Sequence, residues 1–269
     1  MPLLSLAHLT VIDADPITLI EAAVAGRYDA TGLRIVAPFP TDHVFPVIGD
    51  PGLIRRIKGR LADTGIKVFD VEAIWLTPQS DVSLLEHALD LAVELGAGNV
   101  LTVGNDPDRE RLKTNFARLC AAANLRGMRV MLEFIPYSQI RSLEQAVALL
   151  DQVKAANAGV LVVALHLSRS GGHPRDITKY DPALFSYMHL CGAPAALPGP
   201  DGVRPEAREA RLYPGEGGLW LADFIAAFRP ATPIAIEAPN ATRNSLPPAE
   251  RATLAASCLR RLLEGTGAL

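Results

Sequence analysis

Six polar residues stand at the ends of short apolar runs, or inside them, where a purely structural strand would carry another apolar side chain. Glu133 follows Val130-Met131-Leu132, and Glu237 follows Ile234-Ala235-Ile236. His189 follows Ser186-Tyr187-Met188, and His166 follows Val162-Val163-Ala164-Leu165. Glu72 lies inside Val68–Ile74, and Arg34 follows Thr31-Gly32-Leu33. If the run ends converge, Glu133, His189 and Glu237 form a candidate divalent-metal site. Carboxylate oxygens with one imidazole suit Mn²⁺, Mg²⁺, Co²⁺ or Zn²⁺ without choosing between them.

Each residue also has a purely structural reading. A glutamate at a strand end can be solvated or ion-paired, and His189 can be a satisfied half-buried histidine. Glu72 can pair inside the fold. Arg34 can anchor a substrate or pair with Glu72. His8 is a lesser candidate for a functional role, and Trp75 reads as pocket wall or core. The run Arg169-Ser170-Gly171-Gly172 can bind an anionic or polyhydroxylated group, or it can be a glycine turn with a surface arginine. Glu216, within Tyr213-Pro214-Gly215-Glu216-Gly217, can close over the mouth or cap its own turn.

The elements that must position these residues alternate in type. Eight β-rich runs recur: Ser5–Leu9, Ala30–Val36, Lys67–Ile74, Asn99–Val103, Arg129–Phe134, Gly159–Leu165, Tyr187–Cys191 and Ile234–Glu237. Between them lie amphipathic runs such as Ile17–Ala25, Ser83–Leu95, Leu112–Leu125 and Leu143–Val153. Asp15-Pro16 and Asp106-Pro107 each place a capping Asp before a proline at the first helical position. Ser142-Leu143-Glu144-Gln145 has the form of a capping box. Gly26, Gly65 and Gly96 close helical runs. Eight β-then-α units with continuous apolar strands predict a single (β/α)8 barrel over residues 1–269, close to the usual size of about 250 residues. A nucleotide-binding sheet is disfavoured, because no glycine-rich loop follows the first strand. Three long irregular stretches, Ala37–Asp50, Ser168–Tyr180 and Gly192–Gly218, would then all emerge at the active-site face.

Composition excludes several classes. Lys plus Arg is 26 and Asp plus Glu is 29, with no basic stripe, so a nucleic-acid surface is not expected. The longest apolar runs are too short to span a membrane, and the first ten residues do not read as a secretory signal. Cys120, Cys191 and Cys258 form no C-x-x-C pair, which points to a reducing cytoplasm. Cys191 could line a pocket. The expected partner is a small-molecule substrate, and the sequence leaves room for a homodimer.

Four segments together resemble the sugar-phosphate isomerase/epimerase family, within the xylose-isomerase-like TIM-barrel superfamily. They are Leu132-Glu133-Phe134-Ile135-Pro136, His166-Leu167-Ser168-Arg169-Ser170-Gly171-Gly172, Tyr213-Pro214-Gly215-Glu216-Gly217 and Ile236-Glu237. The resemblance runs in order along nearly the whole chain. It implies a divalent metal held by a Glu from strand five, an Asp from strand six, a His or Gln from strand seven and a Glu from strand eight. Glu133, His189 and Glu237 match three of these. Val163 stands where the Asp belongs, and Gly192 stands where a similar branch often has an Asp. His166 or Asp176 could substitute as ligands.

The resemblance further implies proton transfer beside a carbonyl. Glu133 and Glu237 would be the catalytic pair, and His166 would hydrogen-bond the substrate. Arg169, Arg34, Glu72, Trp75 and Glu216 are the remaining expected substrate contacts. The rival readings are a lyase or dehydratase working through the same enolate on a hydroxy-ketone or aromatic-derived substrate, and a non-catalytic binder. An apurinic-endonuclease-like nuclease is disfavoured by the few histidines and the net charge of −3.

Overall fold

Eight short parallel strands close on themselves in chain order. They are β1 (Leu4–Leu6), β2 (Ala30–Arg34), β3 (Lys67–Leu76), β4 (Asn99–Gly104), β5 (Arg129–Glu133), β6 (Ala158–Val163), β7 (Met188–Leu190) and β8 (Ile234–Ile236). The computed structural model describes residues 2–39, 42 and 44–266. Closure is carried by β1, which pairs with β2 on one side (Leu6 opposite Thr31) and β8 on the other (Leu6 opposite Ile236). Every residue of β6 is buried, as are the last four of β5. Helices on the outside and packed side chains within explain why these strands read as continuous apolar runs.

The helices follow the strands: α1 (Pro16–Ala25), α2 (Pro51–Thr64), α3 (Glu86–Glu94), α4 (Arg109–Asn124), α5 (Leu143–Val153), α6 (Ala164–Arg169), α7 (Pro174–Ile177), α8 (Val203–Glu209), α9 (Leu221–Ala226) and α10 (Pro248–Thr266). Their starts obey local chemistry. Asp15 accepts from the amides of Ile17 and Thr18 at the start of α1. Ser142 accepts from Gln145 N at α5, but Gln145 Oε1 reaches back to the Arg141 amide rather than to Ser142. Gly65 closes α2 at φ +74°, a left-handed conformation that glycine adopts without a Cβ penalty.

Four expectations are corrected here. α4 is capped by Asp108, not Asp106, whose buried carboxylate instead holds Arg111. After β1, His8–Val11 forms a 3-10 turn rather than more strand. β2 ends at Arg34, two residues early. β6 ends at Val163 and the chain passes at once into α6, so His166 lies in a helix and not at a strand tip. Of the long loop Ala37–Asp50, residues 40, 41 and 43 lie outside the described residues. Among the described residues no helix is long and apolar enough to cross a membrane.

Candidate active site

Strand register brings three of the expected residues to one end of the barrel, and the helix after β6 brings a fourth. Glu133 closes β5, opposite Val103 of β4 and Leu161 of β6. His189 is the middle residue of β7, opposite Val163 and Ala235. Glu237 follows β8, and its amide donates to Leu190 O at 3.1 Å. His166 enters from the start of α6. All four are buried.

They meet in pairs. His166 Nε2 lies 3.4 Å from Glu133 Oε1, and His189 Nδ1 lies 3.4 Å from Glu237 Oε2. Neither contact has the alignment of a hydrogen bond, and all four ring nitrogens are buried without a hydrogen-bond partner among the described residues. Buried polar atoms are overwhelmingly satisfied in proteins, so four such nitrogens gathered at one rim make it the candidate ligand site.

The sequence reading missed a fifth member, Arg211. Its Nη1 donates to Glu237 Oε2 at 2.6 Å and to the Glu237 carbonyl at 3.0 Å. Its Nε donates to Ala207 O of α8 at 2.7 Å. The Arg211 amide donates to Pro239 O, and Asn240 Nδ2 donates to Arg211 O at 2.8 Å, so the loop after β7 is laced to the loop after β8. No local signal distinguishes Arg211 from its neighbours Arg204 and Arg208. Only the return of this loop across the barrel mouth sets it apart.

These contacts divide the charges. Burial alone would raise the pKa of Glu237, but Arg211 and His189 hold it well below the usual carboxylate range. Burial would lower His189, yet Glu237 and Asp70 raise it to about 9, so it is cationic at neutral pH. Burial dominates at His166 and lowers it despite Glu133, which leaves a neutral imidazole. Arg211 stays charged, because the acidic groups around it, Glu237 foremost, together more than offset its burial. Deeper in the barrel, Tyr187 Oη donates to Asp70 Oδ2 at 2.7 Å, and burial pushes the Asp70 carboxyl up.

Glu72 and Arg34 face each other in the β2–β3 register. Glu72 Oε1 accepts a 3.3 Å bond from Leu9 N, and its Oε2 is buried without a hydrogen-bond partner among the described residues. Burial raises Glu72 to about 7, against the pull of Arg34. His8 is a satisfied structural histidine: its Nδ1 accepts from Arg34 N at 3.0 Å, and its Nε2 lies 2.9 Å from Ala14 O. Trp75 is half-buried and packs against Phe39 with ring centroids 4.8 Å apart.

Three expected contacts are placed otherwise. Arg169 grips Glu206 of α8 through two bonds of 2.6 and 2.7 Å and donates to Pro194 O, so it fixes the loop that carries Arg211. Glu216 accepts from Tyr213 N and from Arg243, and thus caps its own turn. Asp176 caps α7 and binds Lys179, so it is no substitute ligand. The Gly192 departure has a steric cause: a Cβ there would sit 2.2 Å from Glu216 O and 2.5 Å from Tyr213 O. Cys191 is buried, with its sulfur 4.0 Å from Arg211 Nη1.

The implied four-ligand metal set does not fit these residues. Val163 offers no donor directly across from His189. The Glu237 carboxylate is already neutralised by Arg211. Among the described residues, no group of three or more His, Cys, Asp or Glu is arranged to hold an ion.

Residues 20–262 match the family model described as xylose isomerase-like TIM barrel. The chain is 28% identical over 220 residues to a 3-dehydroshikimate dehydratase of Pseudomonas aeruginosa, covering 77% of this chain and 33% of that protein. It therefore spans about a third of the curated relative it matches. Among solved structures, a xylose isomerase-like TIM barrel/4-hydroxyphenylpyruvate dioxygenase fusion protein superposes with TM-score 0.81 at 22% identity, covering 98% of this chain and 43% of the other. The IolI protein with a bound zinc atom superposes with TM-score 0.82 at 17% identity, covering 99% of each chain. These two likenesses speak to the fold.

Proposed function

Because the chain belongs to the xylose isomerase-like TIM-barrel family, we propose that it is an enolate-forming enzyme with a single proton carrier, acting as a lyase that dehydrates a small hydroxy-ketone. The carrying observation is the asymmetry of the two glutamates. Glu237 is locked by Arg211 at 2.6 Å and kept ionised, which makes it a poor base. Glu133 has no arginine partner among the described residues and lies beside the neutral imidazole of His166. Inverting a carbon from its two faces needs two proton carriers, whereas elimination needs one.

In this reading Glu133 removes the proton from the carbon next to the carbonyl, and the C–H electron pair becomes the enolate. Neutral His166 donates its N–H to the oxygen where charge develops, as an uncharged imidazole can when its pKa is depressed. The cations His189 and Arg211 add positive potential in a buried site. The enolate then re-forms the carbonyl and expels the β-hydroxyl. Glu133 returns its proton to that hydroxyl, so the products are an unsaturated ketone and water. The likeness to a 3-dehydroshikimate dehydratase supports this reading. Isomerisation of an open-chain hydroxy-ketone is the second reading, favoured by the same single carrier.

The test incubates the protein with 3-dehydroshikimate and a series of open-chain hydroxy-ketones in D₂O, following ultraviolet absorbance and product mass. A dehydrated, conjugated product is expected, and Glu133→Gln should slow its formation by about 10²–10⁴-fold. The reading is overturned if Glu133→Gln and His166→Gln both leave turnover unchanged. It is also overturned if epimers form without elimination.

A further inference from the structure

A cavity of about 450 Å³ opens above the ends of β1, β2 and β8, bounded by the loops after β1, β7 and β8. Its wall carries three arginines, and two of them are committed. Arg208 pairs with Asp42 at 3.1 Å, and Arg251 pairs with Asp13 at 2.6 Å. The third, Arg34, is only 6% exposed. Its Nε is buried without a hydrogen-bond partner, and its guanidinium has no carboxylate within 4.0 Å among the described residues. Its backbone is fixed, with the amide bonded to His8 Nδ1, which is itself held at Ala14 O. A rigid strand end thus presents to this cavity one guanidinium with no carboxylate in contact, on the same barrel face as the candidate site.

We propose that Arg34 anchors a carboxylate of the substrate, so that the hydroxy-ketone is a hydroxy-keto acid. This rests on the reading of the site as enolate-forming. The guanidinium fork matches a planar carboxylate bidentately. The same wall carries Asp13, Asp42 and Glu209, whose charges balance the three arginines. A single free cation in a wall of zero net charge suits a monoanion better than a phosphate dianion. Glu72 supports the assignment: with its carboxyl pushed up to about 7, it is in part uncharged near neutrality and compensates Arg34 incompletely. The carboxylate would hold the far end of the molecule while Glu133 and His166 work at its carbonyl end.

The test is equilibrium binding by calorimetry, which needs no turnover. The probes are shikimate, a cyclic hydroxy acid with no ketone, its uncharged methyl ester, and inorganic phosphate. Wild-type protein should bind shikimate more tightly than the ester. Arg34→Gln should weaken shikimate binding by about 10-fold or more and leave the ester unchanged. Arg34→Lys, which keeps the charge without the fork, should fall between the two and guards against a folding defect in the first variant. Equal affinity for acid and ester in the wild type, or unchanged acid binding in Arg34→Gln, overturns the proposal. Phosphate binding more tightly than the acid overturns the choice of a carboxylate. Arg34-dependent acid binding in a protein that turns over no hydroxy-ketone would sink the enolate reading alone.

Discussion

Arg211 Nη1 sits 2.6 Å from Glu237 Oε2 in the buried mouth of the barrel, and the same nitrogen reaches the Glu237 carbonyl at 3.0 Å. One arginine from the loop after β7 thereby fixes both the charge and the backbone of the residue that follows β8. His189, 3.4 Å from the same oxygen, completes a buried triad whose net charge is +1 when His189 is protonated.

Breaking this pair from one side leaves the other charge buried. Arg211→Met and Glu237→Gln should each lower unfolding free energy by about 3–5 kcal/mol in urea titrations. The double variant should be destabilised by clearly less than the sum of the two. Strict additivity would show that the two groups are not coupled.

Elemental analysis of protein purified without added metal should find no stoichiometric divalent ion, and chelator treatment should leave the thermal midpoint unchanged. Val163→Asp, which places a carboxylate directly across from His189, should add a shift of the midpoint on titration with Zn²⁺. At a hundredfold excess over Kd that stabilisation is about 2.7 kcal/mol. A tightly held metal in the wild type, with a lower midpoint after its removal, would contradict the incomplete donor set.

Glu72 gives stability a pH slope. Its folded pKa, about 7, lies above the ordinary 4.5, so the folded state holds the proton more tightly than the unfolded chain. The stabilisation is complete below about pH 4.5 and is lost as pH rises through about 7, a change on the order of 3 kcal/mol. Glu72→Gln should remove that slope and leave the protein more stable than the wild type at pH 8, with the difference vanishing near pH 4. Arg34, Asp70, Glu237 and His189 all act on this carboxyl and remain in the variant. A slope that survives the substitution would assign it to one of them.

Gly192→Ala should destabilise the protein by about 1–3 kcal/mol or more, because the new Cβ meets backbone oxygens of Tyr213 and Glu216 that cannot rotate away. Gly192 and Leu212 exchange backbone bonds of 2.7 and 2.9 Å, so the same change should displace Arg211 and reduce turnover beyond the loss of stability. Circular dichroism melting alongside turnover separates the two effects. A variant that melts as the wild type does would contradict the clash.

The alternation of strands and helices, the caps at Asp15 and Ser142, and the convergence of Glu133, His189 and Glu237 were legible in the amino-acid order, whereas His166 reaches the rim from a helix and not from the expected strand end. Each depends on short-range physics: side-chain period, a hydroxyl or carboxylate reaching the first amides of a helix, and a strand register that carries every strand end to one rim. Val163 in place of a carboxylate was legible too, as a residue type. What only the tertiary structure decided is which long side chains find each other. Arg169 and Glu216 looked like site residues but close loops, held by Glu206 and Arg243. Arg211 looked like any loop arginine but lies against Glu237, while Arg34 has no carboxylate partner among the described residues. Partners separated by 26 or 37 positions are chosen by where loops cross in space, and no periodicity along the chain encodes that.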